Sequence, residues 1–166
     1  MSRSWSRGEG WAQLPREQVA DMWHERFGTP EDLFIGLGLF RRGRMVWAFS
    51  QSQIPPFCCE TVGLRIMSLR DPPWKPTTYA LQMWGHLATR NVIRLDRQSA
   101  MAFFAGQTQS VDQTAVEAPL ESGYVVVCHG EDVLGCGLYS QGRLICQLPK
   151  ERRILGDDED SSGGDR

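Results

Sequence analysis

Gly123-Tyr-Val-Val-Val-Cys128, Leu134-Gly-Cys-Gly-Leu-Tyr139 and Arg143-Leu-Ile-Cys-Gln-Leu148 follow one another closely near the end of the chain, and their reading decides the fold. The first is the most β-like stretch of the sequence, and a Gly-containing turn separates each from the next. Strands joined by such short turns close most readily as a small antiparallel barrel or half-barrel. Gly135 and Gly137 sit inside a strand pattern, where glycine marks a bulge or a close backbone approach.

Working outward, residues 107–122 are polar and predict a loop. Asp96 is an N-cap for a helix over Arg97–Ala105, with Ala100, Phe103 and Phe104 on its apolar face and Gly106 at its end. Asn91–Leu95 predicts a short strand. Thr77 to Trp84 is helical in pattern, with Tyr79, Ala80, Met83 and Trp84 as candidate buried positions and Gly85 as its cap. Three prolines within Asp71–Pro76 predict a connector. Ahead of it, Pro15 starts a helix whose apolar stripe is Val19, Met22, Trp23 and Phe27, and Gly28 stops it. Phe34–Phe40 and Met45–Phe49 predict strands joined by a turn at Arg41–Arg44, and Gly63–Leu69 a third. Ile54–Cys59 reads as a loop and residues 1–13 as an extended arm. The expected class is α+β, with a small N-terminal domain over 1–73, a β-rich domain over 74–156 and a disordered acidic tail over 157–166.

The 166 residues carry a net charge of −2, which hides a segregation. The last ten residues hold five acids and one base, so the rest has 17 Lys+Arg against 15 Asp+Glu. Sixteen of the 18 bases are Arg, whose planar fork suits phosphate. No apolar run reaches the roughly 18 residues of a membrane span, and the N-terminus lacks the apolar stretch of a secretory signal. A cytoplasmic protein is expected, without a membrane partner.

Five cysteines (58, 59, 128, 136 and 146) include no Cys-x-x-Cys, and the three His are scattered. No metal site and no cofactor are therefore expected. Gly36-Leu-Gly38 lies inside a strand pattern and lacks the third glycine of a dinucleotide loop. Cys58-Cys59 has no partner base that spacing identifies, and no catalytic constellation is recognisable.

The bases are more informative. Lys150, Arg152 and Arg153 cluster after the last strand, Arg143 lies one strand-length earlier, and Lys75, Arg90 and Arg94 flank the first helix of this half. Dispersed cations of this kind neutralise backbone phosphates, and Trp84, His86 and Tyr139 have rings on which unpaired bases stack. An ordinary solvated surface has the same charge pattern.

Lys75-Pro-Thr-Thr-Tyr-Ala-Leu81, Gly123–Cys128, Leu134-Gly-Cys-Gly-Leu138 and Gly142-Arg-Leu-Ile-Cys-Gln-Leu-Pro-Lys-Glu-Arg-Arg153 resemble, in this order, the C-terminal RNA-binding domain of Sun-family 5-methylcytosine rRNA methyltransferases. The resemblance covers residues 74–153 and implies a PUA-like mixed β-barrel that docks structured RNA. The stretch ahead of Trp74 is too short for that family's Rossmann-type domain, and Phe57-Cys-Cys59 reproduces neither catalytic cysteine context. Methyl transfer is therefore not carried over. The N-terminal half, through the Phe40–Trp47 hairpin, more loosely resembles the small α/β domain that precedes the PUA module in ribosome-biogenesis factors.

The function this resemblance implies is non-catalytic binding of structured RNA, rRNA or tRNA, in ribosome biogenesis or RNA modification. Lys75, Arg90, Arg143, Lys150, Arg152 and Arg153 would hold phosphates, with Trp84 and His86 against bases. The alternatives are an RNA-modifying or small-molecule enzyme with a site near Cys58 and Cys59, or an adaptor. An adaptor would use the Trp-rich N-terminus to recruit an RNA-modifying enzyme or ribosomal protein.

Overall fold

Val19, Trp23 and Phe27, with Ala20, form the buried face of α1 (Arg16–Phe27). The computed structural model describes residues 10–57, 59–70, 74–112, 116 and 119–154. Pro15 precedes the helix, and Gly28 ends it in the left-handed conformation (φ 65°), its N–H bonded to the His24 carbonyl at 2.8 Å. This face shares a core with an antiparallel sheet whose order follows the chain: β1 (Trp11–Leu14), β2 (Gly38–Arg42), β3 (Met45–Phe49), β4 (Leu64–Ser68) and β5 (Lys75–Pro76).

Three sequence expectations change here. The end of the expected arm joins a strand, Trp11–Leu14, paired with Arg42–Leu39, while residues 1–9 lie outside the described residues. The strand read over Phe34–Phe40 begins only at Gly38, because Thr29 to Leu37 winds through turns that bury Leu33 and Phe34. It continues to Arg42, so Gly43-Arg44 alone turns the hairpin. Within the expected connector, Lys75-Pro76 pairs with Met67 and Ser68.

The second sheet has the order β6-β8-β9-β10-β7, built from β6 (Val92–Arg94), β7 (Gln109–Ser110), β8 (Gly123–His129), β9 (Asp132–Ser140) and β10 (Arg143–Cys146). β6 runs parallel to β8 and the other neighbours are antiparallel, which gives the mixed half-barrel of a PUA-like α+β fold. β7 lies inside the stretch read as a polar loop. It is a two-residue strand whose only ladder is with Arg143 and Leu144, so no local periodicity announces it.

Two helices carry side-chain caps. Thr77 accepts from the Ala80 N–H at 3.1 Å ahead of α2 (Thr78–Trp84), and Asp96 accepts from the Ser99 N–H at 2.7 Å ahead of α3 (Arg97–Phe104). The hydrogen bonds from Ser99 hold the Asp96 carboxyl below the usual range. In α2 the burial differs from expectation. Thr78, Ala80 and Leu81 are buried, Trp84 is half-buried, and Tyr79 and Met83 are 51% and 52% exposed. Gly85 stays right-handed and leads into a 3-10 turn over Gly85–Leu87 instead of stopping the chain.

β8 is buried on both faces, and its alternation feeds two cores. Val126 and Cys128 join Trp23, Phe27, Leu39, Ile66, Leu81 and Cys136 in one cluster, which takes residues from both sides of position 73. Val125 and Val127 join Ile93, Phe103, Leu144 and Leu148 in the other. A Cβ on Gly137 would lie 2.4 Å from Leu144 Cδ1, and one on Gly135 2.6 Å from Leu148 Cδ2, the close approach expected of these glycines. No helix among the described residues is long and apolar enough to cross a membrane.

Candidate nucleic-acid interface

Alternation along β3 sends Val46 and Ala48 into the core and turns Met45 and Trp47 to the opposite face. That face, with Arg65 and Ser68 of β4, is the floor of a cleft of about 630 Å³. One wall runs from β5 into the start of α2, from Lys75 to Tyr79. The other is the segment after β10, with Gln147, Pro149, Glu151 and Arg152. Thr77 pins the corner, because its Oγ1 donates to the Arg65 carbonyl at 2.8 Å while capping α2.

Sequence-distant groups meet at the mouth of this cleft. The Arg152 guanidinium lies 4.0 Å from the Tyr79 ring centroid and donates to Gln82 Oε1 at 3.3 Å. Such stacking removes water from one face of the cation and leaves the donors not bonded to Gln82 at its edge. Lys75 Nζ donates to Gln147 Oε1 at 2.9 Å and lies 5.4 Å from the Tyr124 ring centroid. Lys150 is exposed on the 3-10 turn Lys150–Arg152 that follows Pro149.

The other expected contacts are elsewhere. Arg143 is exposed where β10 begins, at the far end of that strand from Gln147. His86 is exposed on the turn after α2. Arg90 is half-buried and donates to the His24 carbonyl at 2.8 Å. Arg153 donates to the Leu148 carbonyl at 3.1 Å and packs over Gly106, where an added Cβ would meet it at 3.0 Å. Trp84 packs edge-to-face on Phe34 (5.1 Å) and Trp23 (6.3 Å). Arg94 donates to the Gly130 carbonyl.

Tyr79 and Arg65 are among the cleft residues that the sequence reading did not single out. Tyr79 is assigned there to the core, and Arg65 is only a polar position in a strand. The usable signal for Arg65 is its alternation with Leu64 and Ile66 opposite an aromatic hairpin.

Cys58 and the segment 155–166, including the acidic tail, lie outside the described residues. Cys59 is half-buried, and its carbonyl accepts from Trp11 Nε1 (3.1 Å) and Arg42 (3.0 Å). Cys128, Cys136 and Cys146 are buried, and burial pushes the Cys136 thiol up to about 12. Among the described residues no three His, Cys, Asp or Glu side chains are grouped to hold a metal ion.

Residues 90–154 match the family model of the methyltransferase RsmF PUA domain. The match starts after the Lys75–Leu81 motif and includes β6 to β10 and the Lys150–Arg152 turn. No curated protein matches the chain with significance. Among solved structures, a conserved PUA domain protein from Thermoplasma acidophilum is similar, with 12% identity, coverage of 86% of this chain and 97% of that chain, and a TM-score of 0.49. The resemblance read from the strand motifs therefore holds over the half-barrel, and residues 90–154 form a PUA-like domain of the Sun-family type.

Proposed function

We propose that this chain is a non-catalytic binder of structured RNA, rRNA or tRNA, acting in ribosome biogenesis or RNA modification, and that the cleft is its RNA site. PUA domains are RNA-binding modules as a class, and the matched segment includes Lys150 and Arg152. The observation that carries the reading is the convergence of Arg65, Lys75 and Arg152 with Tyr79 on one concavity. Cations around such a concavity neutralise phosphates, and an exposed tyrosine ring offers a stacking face to an unpaired base. Arg143 and His86 would extend the contact at its periphery. Trp84, Arg90 and Arg153 would act through the packing that positions the others.

Crosslinking in cells, followed by sequencing of the bound RNA, tests this reading. Enrichment of rRNA or tRNA segments is expected, with crosslinked peptides containing Tyr79 or the 147–154 segment. Absence of any enriched RNA would contradict it.

A further inference from the structure

A second hollow of about 540 Å³ adjoins the cleft and shares Met45, Arg65 and Ser68 with it. Arg44 and Arg70 complete its lining. Arg44 immediately precedes β3 and Arg70 lies two residues beyond β4. The Leu69 N–H bonds the Arg44 carbonyl at 2.6 Å, so both arginines leave the same end of the β3–β4 ladder. Arg65 lies further along, opposite Trp47, where the register shifts between Val46 and Trp47. That bulge buries both Ile66 and Met67 and leaves Arg65 and Ser68 on the outer face.

All three arginines are exposed, and among the described residues no ion pair or side-chain hydrogen bond holds their guanidinium groups. Among the described residues no carboxylate lines this hollow, and Glu151 is the one acid lining the cleft beside it. Three like charges gathered on one hollow repel one another and favour an anionic partner. The hollow opens onto Met45, Trp47 and Tyr79, and apolar and aromatic surface beside a cationic track is the arrangement that receives single-stranded nucleic acid. Bases inside a duplex cannot reach such a surface.

We propose that Arg44, Arg65 and Arg70 grip phosphates of an unpaired RNA segment whose bases enter the cleft against Met45, Trp47 and Tyr79. This deepens the RNA-binding reading above and rests on it. It extends the site from the PUA-like half onto the outer face of the N-terminal sheet. The guanidinium fork supplies bidentate phosphate contacts, so the arginines set both affinity and its salt dependence.

The test uses the full chain and two labelled RNAs, a hairpin with a single-stranded tail and the same hairpin without it, followed by fluorescence anisotropy from 50 to 200 mM salt. Three phosphate contacts to a single strand contribute about two units to the slope of log affinity against log salt. For the tailed hairpin, the Arg44→Ala/Arg65→Ala/Arg70→Ala variant should therefore lose about twentyfold less affinity than wild type across that range. The corresponding triple lysine variant should keep the wild-type slope, and the tailless hairpin should bind all three proteins alike. If the alanine triple does not fold, Arg65→Ala alone should flatten the slope by about 0.7. An unchanged slope for the tailed hairpin overturns the proposal, and so does an equal loss on both hairpins, which would place the arginines on a duplex. Failure of wild type to bind either RNA overturns the underlying RNA-binding reading itself.

Discussion

Asn91 ties the end of α1 to the segment that enters β8. Its Nδ2 donates to the Arg26 carbonyl at 2.6 Å, and its Oδ1 accepts from the Glu121 N–H at 2.8 Å. Asn91 is 1% exposed and holds a left-handed backbone (φ 56°). Arg26 completes the junction, donating to the Tyr124 carbonyl through Nε at 2.9 Å and pairing with Glu121 at 3.6 Å. Burial lowers the Arg26 pKa, and the nearby Glu121 charge opposes that shift. Helix α1 is thus tied to the entry of β8 by polar bonds as well as by a shared core.

Asn91→Ala removes two buried hydrogen bonds and puts alanine at a positive φ. Each lost bond costs about 1–2 kcal/mol and the backbone about 1 more, so a loss of about 3–5 kcal/mol is expected. Urea unfolding measures it. A change below about 1 kcal/mol would show that the junction is not a stabilising contact.

Asn91 also shows where sequence reading reaches its limit. α1 was legible because Pro15, Gly28 and the stripe Val19, Trp23, Phe27 are all local signals. β8 to β10 were legible because β-branched runs and glycine turns lie side by side. β1 was not, since Trp11–Leu14 becomes a strand only through Leu39–Arg42, far along the chain. In α2, periodicity offers two stripes, and packing against β4 and β9 selects Ala80 and Leu81 over Tyr79 and Met83. The cleft has the same origin. Lys150 and Arg152 stand out as dense charge, but the meeting of Arg152 with Tyr79 is purely tertiary. Arg153 belongs to the same run of charge, yet the position of the Leu148 carbonyl and of Gly106 turns it inward.

Gly63 borders the cleft, and its φ of 55° together with its surroundings excludes a side chain. An added Cβ would lie 2.1 Å from the Ala48 carbonyl oxygen, a backbone atom that cannot swing aside. Gly63→Ala is expected to cost about 2–4 kcal/mol. Gly43→Ala is the control, with φ 58° but nothing within 4 Å, and should cost about 1 kcal/mol. Equal melting temperatures for the two variants would contradict the steric argument.

Burial drives the Cys136 thiol up to about 12 from 9.0; neighbouring Cys146 adds to the rise, while Lys75 and Arg26 oppose it. The folded protein therefore keeps a proton that the unfolded chain releases near pH 9. The corresponding stability is complete below that pH and is lost as pH rises from about 9 towards 12. Between pH 8 and pH 10, wild type should lose about 1.4 kcal/mol more than Cys136→Ala in urea titrations. Parallel losses in the two proteins would show that this thiol does not govern alkaline stability.

The central claim is that RNA phosphates are held by Lys75 and Arg152 of the cleft together with Lys150 on the adjoining 3-10 turn, and its most direct test is the salt dependence of binding. Fluorescence anisotropy of wild type and of Lys75→Ala/Lys150→Ala/Arg152→Ala would be followed on tRNA and rRNA fragments over a series of salt concentrations, with circular dichroism confirming that both proteins are folded. Wild type should bind with log affinity falling linearly against log salt, and the variant should bind more weakly with a slope flatter by roughly two to three units. A folded variant with unchanged affinity and unchanged slope, or a wild type that binds neither RNA, would contradict the account.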